Sequence, residues 1–335
     1  MMEKIRVLVT MPNGVTKSSF IPPHLAEKME KEWDVRWNPL DRNYTPEELA
    51  AEIKDAQICI TGWGNARFTE EVLKDAPCLK VIAHTGGTVA TLVDESVYQK
   101  GITVLSGNEL YAQSVGEGVI CYMLAALRDI PKFSNMVQKE GWTKPGWYNE
   151  GLLGQKVGLV GFGAVARYTA EMLKAFHVDL LICSGHLSDE EAAKYGGRKA
   201  TIEEIFATCK VVSLHMAATP KTFHQVNKEL LSTLQDGALL VNTARGSVID
   251  EAALAEALRE NRFKAILDVY EKEPLPAESP LRGMENAILI PHMGGPTIDR
   301  RPFVTEALMK EAPKALAGEA SFLEISWETA QHMTH

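Results

Sequence analysis

Three polar residues, each set in its own short run, carry the chemistry of this chain. They are Arg245 in Asn242-Thr243-Ala244-Arg245-Gly246, Glu273 at the end of Asp268-Val269-Tyr270-Glu271-Lys272-Glu273-Pro274, and His292 in Pro291-His292-Met293-Gly294-Gly295. An Arg guanidinium forks onto a carboxylate through two parallel N–H···O bonds and polarises the neighbouring oxygen. An imidazole exchanges a proton near neutral pH, and a nearby carboxylate stabilises its protonated form. Removing a hydride from an alcohol carbon beside a carboxylate, and the proton from its hydroxyl, needs these functions together. A lone loop Arg is usually a solvated charge, but Arg245 follows the apolar run Leu239–Val241 and is flanked by Ala244 and Gly246. His292 sits between a Pro and two glycines, where the backbone is restrained and can be approached closely. Glu273 opens a Pro-rich stretch of the kind that usually lies on a surface.

Such groups need a scaffold, and the chain predicts an α/β one. Short apolar runs at Ile5–Thr10, Ile58–Thr61, Val81–Ala83, Ile102–Leu105, Val157–Val160, Leu180–Cys183, Val211–Leu214, Leu239–Val241, Ala265–Asp268 and Ile288–Ile290 alternate with amphipathic stretches. That alternation implies parallel sheets covered by helices on both faces. Capping boxes at Thr45-Pro46-Glu47-Glu48, Ser188-Asp189-Glu190-Glu191 and Thr201-Ile202-Glu203-Glu204 mark helix starts. Ala112–Arg128 reads as a nearly all-apolar helix that must be buried on all sides, between domains or between subunits. A further helix is expected over about Arg301–Ala317, followed by a tail without period.

The strand Lys156–Val160 runs into Gly161-Phe162-Gly163-Ala164-Val165-Ala166 and then a helix to about Phe176. Small residues there let the backbone turn tightly and present helix N-terminal amides to a pyrophosphate. The motif alone is weak, but the flanking strand, helix and next strand supply the context that a dinucleotide site requires. That next strand ends in Cys183-Ser184-Gly185-His186, where an acid usually selects NAD. Ser184 does not repel a 2′-phosphate and His186 could assist one, whereas a Ser hydroxyl can equally bond the ribose of NAD. The cofactor expected is therefore NAD(H) or NADP(H).

The chain has 335 residues, 45% hydrophobic and 24% charged, which is long enough for two domains. A net charge of −9 argues against a general affinity for nucleic acid or an anionic membrane. Five cysteines stand singly, with no metal-like spacing, and read as reduced core thiols; no metal is expected. With no signal-like apolar run, a cytoplasmic location is expected.

With these runs in this order, the sequence resembles the D-isomer-specific 2-hydroxyacid dehydrogenases of the glyoxylate/hydroxypyruvate reductase and phosphoglycerate dehydrogenase kind. The resemblance spans about Ile58 to Thr297 and is strongest over 155–296. It implies two Rossmann-like, doubly wound parallel-sheet domains, the cofactor domain (108–296) inserted into the substrate domain (1–107 with 297–335). The nicotinamide and a 2-hydroxy or 2-keto acid are then expected in the cleft between them. By resemblance Arg245 clamps the substrate, Glu273 supports His292, and His292 is the acid/base. Asp268 contacts the nicotinamide carboxamide. His215, Met216, Thr219, Thr243, Ala244 and Gly294 join the glycine turn in holding the cofactor. Thr85, Gly86 and Gly87 hold the substrate carboxylate, and a homodimer through cofactor-domain helices is implied.

Ala166, Ser106, Tyr111, Pro296 and Arg300-Arg301 depart from the family pattern, so the substrate pocket is not standard. Trp63 and Tyr111 suggest aromatic walls, although a packing role is the slightly favoured reading of Trp63. His84 and His224 are read as structural, and Trp142 and Trp147 as core or interface anchors. A dinucleotide-sensing scaffold without turnover is the alternative, since a corepressor group of the same fold keeps the same residues.

Overall fold

Every apolar run singled out in the sequence becomes a strand in the computed structural model, which describes residues 4–139, 141–142 and 148–333. Trp147 lies outside the described residues. The strands are β1 Arg6–Val9, β2 Asp34–Trp37, β3 Ile58–Thr61, β4 Val81–His84, β5 Thr103–Ser106, β6 Lys156–Val160, β7 Asp179–Cys183, β8 Gly197–Lys199, β9 Val211–Leu214, β10 Leu239–Asn242, β11 Lys264–Leu267 and β12 Ala287–Leu289. They form two all-parallel sheets, ordered β2-β1-β3-β4-β5 and β12-β11-β10-β9-β6-β7-β8. β2 and β8 were not expected. Both lie at sheet edges, where Asp34, Arg36, Arg198 and Lys199 can reach water, so neither reads as an apolar run.

By contact the chain divides into two compact units, Met1–Tyr111 with Pro296–His335, and Ala112–Gly295. In the first unit, one layer of the core packs Val7, Val9, Ile58, Ile60, Val81 and Ala83 against Val304, Leu308 and Ala312 of helix Arg301–Leu316. The tail closes on the same sheet, since Ser106 N–H donates to the Leu323 carbonyl (2.9 Å). It then forms a short helix, Trp327–His332, capped by Ser326. In the second unit, apolar residues fill both faces of the seven-stranded sheet, the pattern that parallel strands demand.

Helix Asn108–Leu127 is covered on one side only within the single chain. Ala112, Gly116, Val119, Met123 and Ala126 are buried, whereas Gln113, Glu117 and Cys121, spaced four apart, are exposed in the single chain. The side chains of Gln113 and Glu117 interrupt the apolar surface there, and small residues form the packing face. Adding a Cβ at Gly116 would bring it to 3.2 Å from Tyr168 Cβ, which sets how closely helix Ala164–Leu173 approaches. Two expectations change: Cys121 is exposed rather than a core thiol, and Trp142 is 78% exposed rather than a core anchor.

Thr45 forms the full reciprocal box with Glu48. At Ser188 and Thr201 the hydroxyls accept from the Glu191 and Glu204 amides, but those carboxylates turn to Arg167 and Arg198 instead. Glu48 meets Arg42 as well and still closes its box, because its Oε2 accepts from both the Thr45 N–H and the guanidinium.

Candidate active site

In the second unit the three chemical residues follow three neighbouring strands. Arg245 lies after β10, Glu273 after β11 and His292 after β12, so the strand order itself brings the motifs together at the C-terminal edge of the sheet.

His292 adopts a left-handed backbone (φ 52°) that a non-glycine residue takes up only when held there. Its N–H donates to the carbonyls of Asp268 (2.9 Å) and Ile290 (3.0 Å). Nδ1 stands 2.6 Å from Glu273 Oε2, while Glu273 Oε1 accepts from the Tyr270 N–H at 3.0 Å. With a carboxylate on Nδ1, that nitrogen carries the hydrogen and Nε2 is left to exchange a proton. The His292 side chain is 48% exposed, so a ligand can reach it. The pair borders a cavity of about 540 Å³ lined also by Tyr270, Pro274, Leu275 and Ile290.

Arg245 is set by its own run. Asn242 accepts from the Ala244 N–H through Oδ1 (3.0 Å) and donates through Nδ2 to the Arg245 carbonyl (2.9 Å), pinning the turn from both sides. Burial pulls the Arg245 guanidinium below its usual range, and the Glu273 carboxylate opposes that pull. Gly246 lies against the next loop so tightly that a Cβ would fall 1.8 Å from the Tyr270 carbonyl carbon.

Asp268 is 1% exposed and ties down a neighbouring loop. Its carboxylate accepts from the Met293 N–H (2.7 Å) and the Gly294 N–H (2.8 Å), fixing the loop that carries His292. A Cβ at Gly294 would stand 2.6 Å from Asp268 Oδ2, which is why glycine occupies that position. Tyr122 on the long helix donates its hydroxyl to Asp268 Oδ1 (3.4 Å), and burial pushes that phenol up. Asn242 and Gly246 were legible as flanks of Arg245; Tyr122 carried no sequence signal.

The glycine turn sits where β6 has β9 on one side and β7 on the other, the point at which strand order reverses. Gly161 has φ 96°, and a Cβ there would lie 2.6 Å from the His215 carbonyl carbon and 2.7 Å from Met216 N. Only glycine lets the turn cross β9 this closely. Gly163 caps the following helix and faces open space, with Ala164 and Val165 in its first turn. Phe162 is a correction at side-chain level. It is 8% exposed and packs edge-to-face on Tyr195 at 5.0 Å, so only its backbone can meet a ligand.

Ser184 is half-buried and His186 exposed after β7. Met216 is likewise core, and Thr219 forms a turn in which its N–H donates to Thr222 Oγ1 at 2.9 Å. The Thr243 hydroxyl is buried with no hydrogen-bond partner among the described residues. That orphan donor, the open side of Gly163 and the closeness enforced at Gly161 fit a dinucleotide laid across the switch point.

In the first unit Thr85 does not serve as expected. Its N–H (2.9 Å) and its hydroxyl (3.0 Å) both donate to the Thr61 carbonyl, which leaves Gly86 and Gly87 to offer amides. Ser106 positions that loop by donating to the Gly87 carbonyl at 2.6 Å. His84 is buried with Nδ1 2.8 Å from Thr61 Oγ1, in keeping with a structural role. His224, Asp250 and Glu271 lie within 4.8 Å of one another, but His224 pairs with Glu271 (2.7 Å) and Asp250 caps a helix.

Burial pushes His84 and His215 down to about 4. Both stay neutral in the fold, while the unfolded chain takes up protons near pH 6.5. Stability from each is therefore full above about pH 6.5 and lost as pH falls towards 4, by up to about 3 kcal/mol per site. Thermal unfolding should show a lower midpoint at pH 5 than at pH 7.5, and His84→Gln should flatten part of that slope. A wild-type midpoint unchanged over this interval would contradict the burial of His84 and the desolvation of the partly covered His215 ring.

A doubly wound parallel sheet with a glycine turn at its switch point, and a hydrogen-bonded His–Glu pair beyond the neighbouring strand ends, defines a dinucleotide-binding α/β protein. Residues 120–294, more than half the chain, match the family described as D-isomer specific 2-hydroxyacid dehydrogenase, NAD binding domain. The chain is 33% identical over 279 residues to a D-3-phosphoglycerate dehydrogenase of Methanocaldococcus jannaschii, covering 82% of this chain and 52% of that protein. It is 32% identical over 281 residues to a glyoxylate reductase of Thermofilum pendens, covering 82% of each. A solved structure from Thermus thermophilus matches with a TM-score of 0.78 at 27% identity, over 96% of this chain and 100% of that one. The chain belongs to the D-isomer-specific 2-hydroxyacid dehydrogenase family. It spans about half the length of the phosphoglycerate dehydrogenases it matches.

Proposed function

We propose that the protein interconverts a D-2-hydroxy acid and its 2-keto acid by hydride transfer. The observation that carries this reading is the Glu273–His292 pair at 2.6 Å, with Nε2 left open, in the second unit whose neighbouring strand ends also carry Arg245. A bound nicotinamide dinucleotide supplies the hydride in the reduction direction. Gly161–Val165 would hold its pyrophosphate and Ser184 with His186 its adenine ribose. His215, Met216, Thr219, Thr243, Ala244, Asp268 and Gly294 would line the rest of its site. His292 Nε2 gives its proton to the keto oxygen as negative charge develops there, and Glu273 stabilises the imidazolium before transfer. Arg245 forks onto the substrate carboxylate and polarises the keto oxygen. In the other unit the Gly86 and Gly87 amides are the groups left to receive a carboxylate.

Reduction of pyruvate or hydroxypyruvate should give the D product. Formation of the L product would overturn the stereochemical part of the proposal.

Ser184 leaves both cofactors open. Introducing Ser184→Asp should shift the kcat/KM ratio towards NADH at least about tenfold, because a carboxylate repels a 2′-phosphate and accepts from ribose hydroxyls. An unchanged ratio would sink this account of selectivity. A homodimer through the second unit is supported by its exposed apolar residues Ile130, Val137, Trp142, Tyr148 and Leu153. The alternative, a dinucleotide sensor, shares every feature of the site and differs only in lacking turnover.

A further inference from the structure

Arg301 opens helix Arg301–Leu316 in the first unit. Its guanidinium lies 5.2 Å from the Trp63 ring centre and 5.4 Å from that of Phe20. Nη1 donates to Ser19 Oγ at 3.0 Å and Nε to the Pro296 carbonyl at 3.4 Å. Arg67 and Arg282 spend their guanidinium donors on backbone carbonyls, whereas Arg36, Arg42, Arg167, Arg198 and Arg262 each meet a carboxylate. Half-buried Arg301 meets none among the described residues, and its Nη2 donors are unspent. Arg300 adds a second cation, whose charge the Asp299 carboxylate just before it offsets, and the helix has no acidic residue in its first turn, which leaves the Arg301 charge beside the positive end of the helix dipole. Such an arrangement is stabilised by an anion from outside.

The position of this cation gives it a substrate. Trp63 meets Tyr111 edge-to-face at 6.4 Å, and a Cβ on Gly87 would sit 3.7 Å from the Tyr111 ring. Gly87, Tyr111, Trp63 and Arg301 therefore form one continuous line within the unit, starting at the amides left for a substrate carboxylate. The Tyr111 hydroxyl is buried; the Trp63 indole faces it but forms no bond of normal geometry. Trp63 itself is held in place by glycines: a Cβ on Gly62 would strike Met11, and Gly64 has φ 73°.

We infer that the substrate is a 2-keto acid carrying a second anionic group at its far end, received by Arg301 between aromatic walls with the Tyr111 hydroxyl as a further donor. This rests on the reaction proposed above. Aromatic walls alone would suit an apolar side chain; the unpaired guanidinium selects an anion, whether carboxylate or phosphate.

The test pairs acids that differ in the distal charge: 2-oxoglutarate against 2-oxopentanoate, and 3-phosphohydroxypyruvate against hydroxypyruvate. In each pair that fits, the wild type should favour the charged member in kcat/KM by on the order of 10- to 100-fold. The first pair reads carboxylate and the second phosphate. Arg301→Gln should remove that preference and Arg301→Lys restore part of it, with turnover of 2-oxopentanoate changed less than about threefold as the control for folding. Equal losses on charged and neutral acids, or a wild-type preference for the neutral member of both pairs, would overturn the inference while leaving the reaction standing. If no keto acid turns over, the reaction fails. Calorimetric binding of glutarate against pentanoate, with the cofactor present, then decides the anion site separately. Arg301-dependent binding of glutarate alone would keep the site, and no difference would overturn it.

Discussion

Replacing His292 by Gln should lower kcat for keto acid reduction by about three orders of magnitude, within the range that a positioned general acid contributes. Gln is close to His in size and can still donate to Glu273, so the loop held by Asp268 through Met293 and Gly294 should keep its shape. What it lacks is a proton to give at the Nε2 position. The loss should therefore fall on kcat, with the dissociation constant for reduced cofactor changed less than about threefold. Glu273→Gln should lose less, since His292 keeps its proton-carrying atom and loses only the partner that orients and stabilises it. Rates and cofactor affinities measured on the same preparations separate these cases. A His292→Gln enzyme within about tenfold of wild type would remove His292 from the chemistry.

Gly246→Ala should be the most damaging single methyl added to the candidate active site. The new carbon would fall 1.8 Å from the Tyr270 carbonyl carbon, 2.1 Å from its oxygen and 2.3 Å from Glu271 N. These are backbone atoms, so no rotamer change relieves the contact. Either the fold loses several kcal/mol, or the loop bearing Glu273 moves away from Arg245. In both cases chemical denaturation or kcat should register a loss equivalent to at least about 3 kcal/mol. Gly163→Ala is the comparison, because its φ of −83° suits any residue and its Cβ would meet nothing within 4 Å. It should cost less than about 1 kcal/mol of stability. Stability equal to that of Gly163→Ala, with wild-type kcat for Gly246→Ala, would show that the close crossing at Gly246 is not required.

The parts of this molecule legible in the sequence are those that repeat a local physical pattern. Buried parallel strands must be apolar along their length, so β3, β6, β7 and β9 stood out within a residue of their ends. β2 and β8 stayed hidden because edge strands can carry charge on the face that meets water. The long helix is legible, but which of its faces the chain itself covers is not. Packing through Gly116 and Ala112 leaves the Gln113, Glu117 and Cys121 stripe uncovered, and mean apolarity does not report which face is used. At the site, Arg245, Glu273 and His292 were visible as residues, but their geometry was not. That Asp268 ties down the His292 loop, and that Thr85 spends both its donors on Thr61, depends on contacts between segments far apart in the chain. The same holds for Arg301, whose meaning comes from Trp63 and Phe20 beside it and from the missing carboxylate.

The decisive measurement follows loss of reduced nicotinamide absorbance for wild type and Arg245→Ala, with NADH and NADPH separately. The acids are glyoxylate, hydroxypyruvate, pyruvate, phenylpyruvate and the other three used for Arg301, and cofactor binding is titrated on the same samples. Hydride transfer with Arg245 as the substrate clamp requires turnover of at least one acid by the wild type. It also requires a fall in kcat/KM on the order of 10³-fold in the variant, the expected cost of truncating a partly buried charge that grips its ligand, at unchanged cofactor affinity. Tight cofactor binding by both proteins with no turnover of any acid by either would contradict the enzyme and leave a dinucleotide sensor in its place.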